Sequence, residues 1–172
     1  MVSMKTKSGL IADINALLGA VGDKFEGDDD GDAERDFMVE RCPKRLEATI
    51  RSLPTLSVHL LAAIADGPVS VVGLATRSDQ LKGTVSKHVQ RLVSAGLVER
   101  TPIPGNRKEV ELIPTRDGEI LVDAHRLMHD EKARGLHDFL QRYTSAELQV
   151  LDTVLRDLLT VRRVGVRIVA GE

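Results

Sequence analysis

Apolar positions recur at three- and four-residue intervals along most of the chain and give way to alternation only in one short stretch. Over 10–21, Ile11, Ile14, Leu18 and Val21 share a stripe, which predicts a helix weakened at its end by Gly19 and Gly22. Seven acids follow between Glu26 and Asp36 with almost nothing apolar, a pattern that predicts a solvated linker or loop. Residues 37–53 read as partly helical, with Leu46, Ile50 and Leu53 on one side; Pro43 either opens the main helix or kinks one that began earlier. Thr55 is placed to cap a further helix carrying Leu56, Leu60, Leu61 and Ile64, which Gly67 and Pro68 stop. Two short helices follow, over 71–78 and 82–95. In the second, Val85, Val89 and Leu92 fall on one face, and Gly96 is positioned to end it.

Residues 97–101 and 109–113 alternate, which predicts two strands. Between them lies Pro102-Ile103-Pro104-Gly105-Asn106-Arg107-Lys108, a hairpin loop ending in two positive charges. Thr115 then caps a long helix with Ile120, Leu121, Ala124, Leu127 and Met128 in its stripe; Leu136, Phe139 and Leu140 extend it or its successor, with a bend expected at Gly135. Thr144 and Glu147 form a capping box ahead of Leu148, Leu151, Leu155, Leu158 and Leu159. Arg162, Arg163 and Arg167 suit the C-terminal end of that helix or the residues just past it, and the final residues are expected to be loose. The pattern is mainly α with one small β-hairpin, and a chain of 172 residues is long enough for a real core.

Charge changes this picture more than composition does. The net charge is only −2, but residues 69–108 hold Arg77, Lys82, Lys87, Arg91, Arg100, Arg107 and Lys108 against Asp79 and Glu99 alone. That segment is therefore +5 and the remainder −7, a basic module in an acidic body. A helix that is apolar inward and basic outward, followed by a hairpin with a basic tip, has the form of a surface that reads duplex DNA. Lys82, Thr84, Ser86, Lys87, His88, Gln90 and Arg91 are its candidate contacts on the 82–95 helix. Arg77 at the end of the preceding helix braces the phosphate backbone, and Arg107 and Lys108 carry the hairpin into or beside the minor groove. A single cysteine, Cys42, permits no internal disulfide; with no apolar run long enough for a bilayer and no signal-peptide pattern, a cytoplasmic location is expected.

These residues carry a family resemblance. The stretch LKGTVSKHVQRLVSAGLVERTPIPGNRKEVELIPTRDGEIL, residues 81–121, resembles the MarR family of bacterial winged-helix regulators, and the likeness extends over roughly 53–159. Thr84-Val85-Ser86 match the family's opening of the recognition helix, Gly96 to Arg100 its Gly-Leu-Val-Glu-Arg entry to the wing, and Thr115 and Gly118 its Thr-x-x-Gly. Two positions depart: Asn106 stands where family wings commonly have aspartate, and Gly83 where they often have serine. The resemblance implies a winged helix-turn-helix over 53–114, flanked by N-terminal (1–52) and C-terminal (115–172) helical segments that interlock in a homodimer. It further implies a transcriptional regulator, by default a ligand-responsive repressor on a near-palindromic double-stranded DNA operator, answering to a small aromatic or phenolic effector.

Other chemistry is thinner. No phosphate-cradling glycine loop, dinucleotide fingerprint or nucleophile elbow is present, and Ser57 with His59 is only a neighbouring pair, so neither an enzyme nor a cofactor is expected. Cys42 lies near Arg41, Lys44 and Arg45 in sequence, which leaves a redox-responsive regulator as an alternative. His125 and His129 stand one helical turn apart, with His137, Asp130 and Glu131 nearby; such a pair needs one or two further ligands to hold zinc, and no metal site is assigned. Asp28, Asp29 and Asp30 lack the ordered spacing of a calcium loop. A winged module that binds protein instead of DNA is the remaining alternative.

Overall fold

The pattern of buried positions determines how the helices assemble. The structure is a computed structural model and describes residues 6–26, 28–103, 106–164 and 167–169. Its helices are α1 (Lys7–Glu26), α2 (Asp28–Arg41), α3 (Glu47–Ser52), α4 (Thr55–Ala65), α5 (Val71–Arg77), α6 (Lys82–Ser94), α7 (Arg116–Leu140) and α8 (Ser145–Thr160). Strands β1 (Val98–Ile103) and β2 (Asn106–Pro114) pair antiparallel, as do β3 (Arg162–Val164) and β4 (Arg167–Val169). Contacts divide the chain into two units, Met1–Met128 and His129–Glu172, with the single helix α7 running through the division.

In the first unit α4, α5 and α6 enclose the core. Leu60, Leu61, Ile64, Leu74, Val85, Val89, Leu92, Leu97, Leu112 and Leu121 are each no more than 1% exposed. Each such side chain contributes about 1.5–3 kcal/mol through removal from water, so the α6 stripe alone fixes which side of that helix faces inward. Met38, Leu46, Ile50 and Leu53 join the same cluster.

Local chemistry sets the boundaries. Ser70 caps α5 by accepting a bond from the Gly73 amide at 3.1 Å. The turn into α6 is closed by Gln80 N–H donating to the Ala75 carbonyl, with Asp79 in the left-handed region at φ +50°, which aspartate tolerates better than most residues. At the far end of α6, Gly96 takes φ +70°. Its amide bonds the Val93 carbonyl at 3.0 Å while that of Leu97 bonds Leu92 at 2.9 Å. This is a Schellman stop, sealed by the buried Leu92 and Leu97. β1 and β2 run in register from Val98↔Pro114 to Pro102↔Val110. Val69 adds one further rung, its carbonyl accepting from the Leu112 amide at 2.9 Å. Thr115 holds the entry to α7 from both sides, donating to the Gly96 carbonyl at 2.6 Å and accepting from the Gly118 amide at 3.1 Å.

Five details differ from the sequence expectation. The acidic run is not a loop: most of it lies in α2, where Asp28, Asp29 and Asp30 occupy the first turn, the end at which a helix dipole favours negative charge. Pro43 neither opens nor kinks a continuous helix, since α2 ends at Arg41 and a 3-10 turn, Lys44–Leu46, leads into α3. Pro54, not Thr55, is the N-cap of α4, and Thr55 is already helical. The segment after α8 forms the β3–β4 hairpin where a loose end was expected. Gly135 does not break α7. The Thr144–Glu147 capping box is present in both directions.

The Thr-x-x-Gly pair has a steric cause. A Cβ on Gly118 would collide with the backbone carbonyl of Leu97, which the flexible end of a side chain could not relieve. Gly118→Ala is therefore expected to lower stability by about 1–3 kcal/mol in urea unfolding, as overpacking does. The same substitution at Gly83, where a Cβ meets nothing within 4 Å, is expected not to lower it.

Candidate nucleic-acid interface

α6 turns Val85, Val89 and Leu92 wholly inward and leaves Lys82, Ser86, Lys87, Gln90 and Arg91 exposed, with Thr84 and His88 half-buried. Its N-cap is Leu81, which offers no side-chain acceptor, so the first-turn amides carry no side-chain cap. They sit beside the Lys82 ammonium at the positive end of the helix dipole, an arrangement suited to a phosphate oxygen. Gly83 adds open space there, allowing close approach of a bulky ligand to the backbone.

The predicted contacts divide by what they already hold. Gln90 accepts a bond from the Arg100 guanidinium at 3.2 Å, which ties α6 to β1. Arg77 donates to the Ala63 carbonyl at 3.0 Å, bracing the end of α5 against α4 while remaining exposed. The His88 Nδ1 lies 2.7 Å from the Ser57 hydroxyl of α4. Burial first, and then the charges of Arg91 and Lys87, hold the His88 imidazole below its ordinary pKa, so the ring stays neutral. Ser57 is itself fully buried, and this bond satisfies it. No strong sequence signal marks Ser57, beyond its being a hydroxyl on the buried stripe of an otherwise apolar helix.

The β1–β2 hairpin stands where the wing was expected, with a register shift between Pro102 and Ile103 near its tip. Pro104 and Gly105 lie outside the described residues, as do the side chains of Asn106, Arg107 and Lys108, whose backbone belongs to β2.

Cys42 is half-buried with its Sγ 4.0 Å from the Ile120 carbonyl, and burial pushes its thiol pKa up, away from a reactive thiolate. Two of the three cations near it in sequence are engaged elsewhere: Arg41 stacks on the Phe37 ring and Arg45 pairs with Asp117. The side chains of Asp28, Asp29 and Asp30 are outside the described residues. His137 bonds Gln141 at 2.8 Å, whereas His125 and His129 converge with His59 of α4, a partner too distant in sequence for helical spacing to reveal.

Comparison with known proteins agrees with this geometry. Residues 52–109 match a family model described as the MarR family. The uncharacterized HTH-type transcriptional regulator YhjH of Bacillus subtilis (strain 168) is 31% identical over 109 residues. That alignment takes in 63% of this chain and 62% of the relative, so the chain spans somewhat under two thirds of the relative's length. Among solved structures, Streptococcus pneumoniae FabT in complex with DNA superposes with a TM-score of 0.61 at 18% identity, covering 87% of this chain and 94% of that one. The adhesin competence repressor AdcR of Streptococcus pyogenes gives 0.60 at 17% identity, covering 86% and 93%. YusO of Bacillus subtilis gives 0.59 at 19%, covering 90% and 98%. At these identities the structures establish the shared fold.

The Ser57–His88 bond leads to a stability prediction. An imidazole whose pKa is lowered by folding stabilises the native state above the unfolded value of about 6.5, and that contribution is lost as pH falls through the folded value. Urea unfolding between pH 8 and pH 5 is expected to show declining stability over this window, with a shallower decline in His88→Gln. Ser57→Ala is expected to cost about 1–3 kcal/mol at pH 8, the range for leaving a hydrogen-bonding partner unsatisfied.

Proposed function

We propose that this chain, whose residues 52–109 match the MarR family model, is a winged helix-turn-helix transcriptional regulator that binds double-stranded DNA through α6. The observation that supports this most directly is the division of one short helix. Val85, Val89 and Leu92 are at 0% exposure, while Lys82, Ser86 and Lys87 are presented outward in the first half of a helix whose N-terminus has no side-chain cap, and Arg91 is presented outward in its last turn. A ridge of this width enters the major groove, and its N-terminal residues meet base edges and phosphates first. In this reading Lys87 and Thr84 face bases, Lys82, Ser86 and Arg91 hold phosphates, Gln90 braces α6 against β1, and Arg77 braces α5 against α4. His88 acts from behind, fixing the recognition helix to α4. Arg107 and Lys108 supply the wing contact.

The functional form in this reading is a homodimer. On α1, Leu10, Ile11, Ile14, Leu17, Leu18 and Val21 are each about half exposed. On α8, Val150, Leu151, Val154 and Leu155 are likewise uncovered. Apolar stripes of that length call for a covering surface, and a second copy supplies one by symmetry. Two copies would present two recognition helices to half-sites about one turn apart, and so favour a near-palindromic operator. An open cleft of about 380 Å³ lined by Ile64, Pro68, Ile113, Val122 and Arg126 is of a size to take a small effector.

Selection of bound duplexes from a random pool, followed by fluorescence anisotropy, tests the reading. A near-palindrome is expected to emerge. If each protomer covers about 4 phosphates, log affinity should fall against log salt with a slope near −3.6 per protomer and about twice that for the dimer. Arg91→Ala is expected to weaken binding about equally on all sequences and to make the slope shallower by roughly 1 per protomer. Lys87→Ala is expected to cost about 1–3 kcal/mol on the selected site and to relax the preference at one base position. Absence of binding to any duplex at low salt would favour a protein-binding winged module.

A further inference from the structure

We propose that His59, His125 and His129 form a binding site for one divalent transition-metal ion, best suited to zinc. His125 and His129 lie on the same face of α7, four residues apart, and His59 reaches them from α4. One ring nitrogen from each residue lies within 4.8 Å of the other two. Zinc–nitrogen bonds of about 2.0–2.1 Å in a tetrahedron place the nitrogens roughly 3.4 Å from one another, so small rotations of the side chains complete the set. His59 and His125 already face each other, with ring centroids 5.4 Å apart and planes tilted by 58°.

Burial sets this group apart from an ordinary pair of histidines on a wet helix. Among the described residues the buried polar side chains are Ser57 and His125. His125 is 6% exposed, on a helix face otherwise occupied by Leu121, Val122, Ala124 and Met128. A cavity of about 20 Å³, room for a single water, opens beside His59 and His125 and is lined also by Glu34 and Arg35 of α2. A water supplies the fourth position, as in other three-histidine sites. Three imidazoles and an oxygen donor suit zinc and its neighbours in the first transition row better than calcium or magnesium, which prefer all-oxygen shells. The Cys42 sulfur is directed at the Ile120 carbonyl and belongs to no such set. α4 carries both His59 and Ser57, so the ion and the hydrogen bond to the recognition helix share one rigid element.

The test is independent of DNA binding. Untagged full-length protein, stripped with a chelator, is titrated with Co²⁺ and followed by its visible absorption, then back-titrated with Zn²⁺. The proposal expects one ion per chain, intense bands of tetrahedral Co²⁺ and their bleaching by stoichiometric Zn²⁺. His59 and His129 are exposed and not part of the core, so His59→Ala and His129→Ala are expected to fold, as checked by circular dichroism, and to lose about 100-fold or more in Co²⁺ affinity. His137→Ala is expected to bind as the parent does. Failure of the stripped protein to take up Co²⁺ or Zn²⁺ below millimolar concentration would overturn the proposal, and so would uptake that His59→Ala and His129→Ala leave unchanged.

Discussion

The orientation of one thirteen-residue helix governs most of this structure. Val85, Val89 and Leu92 have no exposure at all, and the core of α4, α5 and the first wing strand closes around them. A rotation of α6 that brought Lys87 or Arg91 inward would exchange three buried apolar side chains for unpaired charges, a change that is prohibitive at the scale of a domain's total stability. The same burial that holds the core together therefore leaves the polar half of the helix facing outward. Function in this reading follows from what the core has no room for.

Around that helix, polar contacts perform fine positioning. Ser57 and His88 join it to α4, Gln90 and Arg100 join it to β1, and the Schellman stop at Gly96 directs the chain into the wing. Thr115 and Gly118 then bring the start of α7 against the backbone of Leu97. Residues that look like DNA contacts by type alone thus divide into those that present a charge and those that orient the surface presenting it. The histidine triad lies outside this arrangement but is joined to it through α4.

The parts of the fold legible in the sequence were those governed by short-range periodicity. The α6 stripe, the Gly96 stop, the paired strands and the Thr144–Glu147 box all follow from residues within a few positions of one another. The acidic run is helical against its composition because aspartates suit a helix N-terminus and because buried Met38 pulls the segment into the core. Thr55 looked like a cap by residue type, yet Pro54 takes the extended geometry that the cap position needs. Long-range partners were not legible: nothing in local spacing joins Ser57 to His88, Val69 to Leu112, or His59 to His125. Those pairings exist only once the helices have packed.

The central claim is that duplex DNA meets the outward face of α6. Amide chemical-shift mapping during titration with a selected duplex tests it most directly. The account predicts perturbations concentrated over Lys82–Ser94 and the β1–β2 hairpin, while the buried amides of α4 away from Ser57 shift little. Saturable binding with the α6 and hairpin amides unmoved, and the shifts gathered elsewhere on the chain, would contradict it.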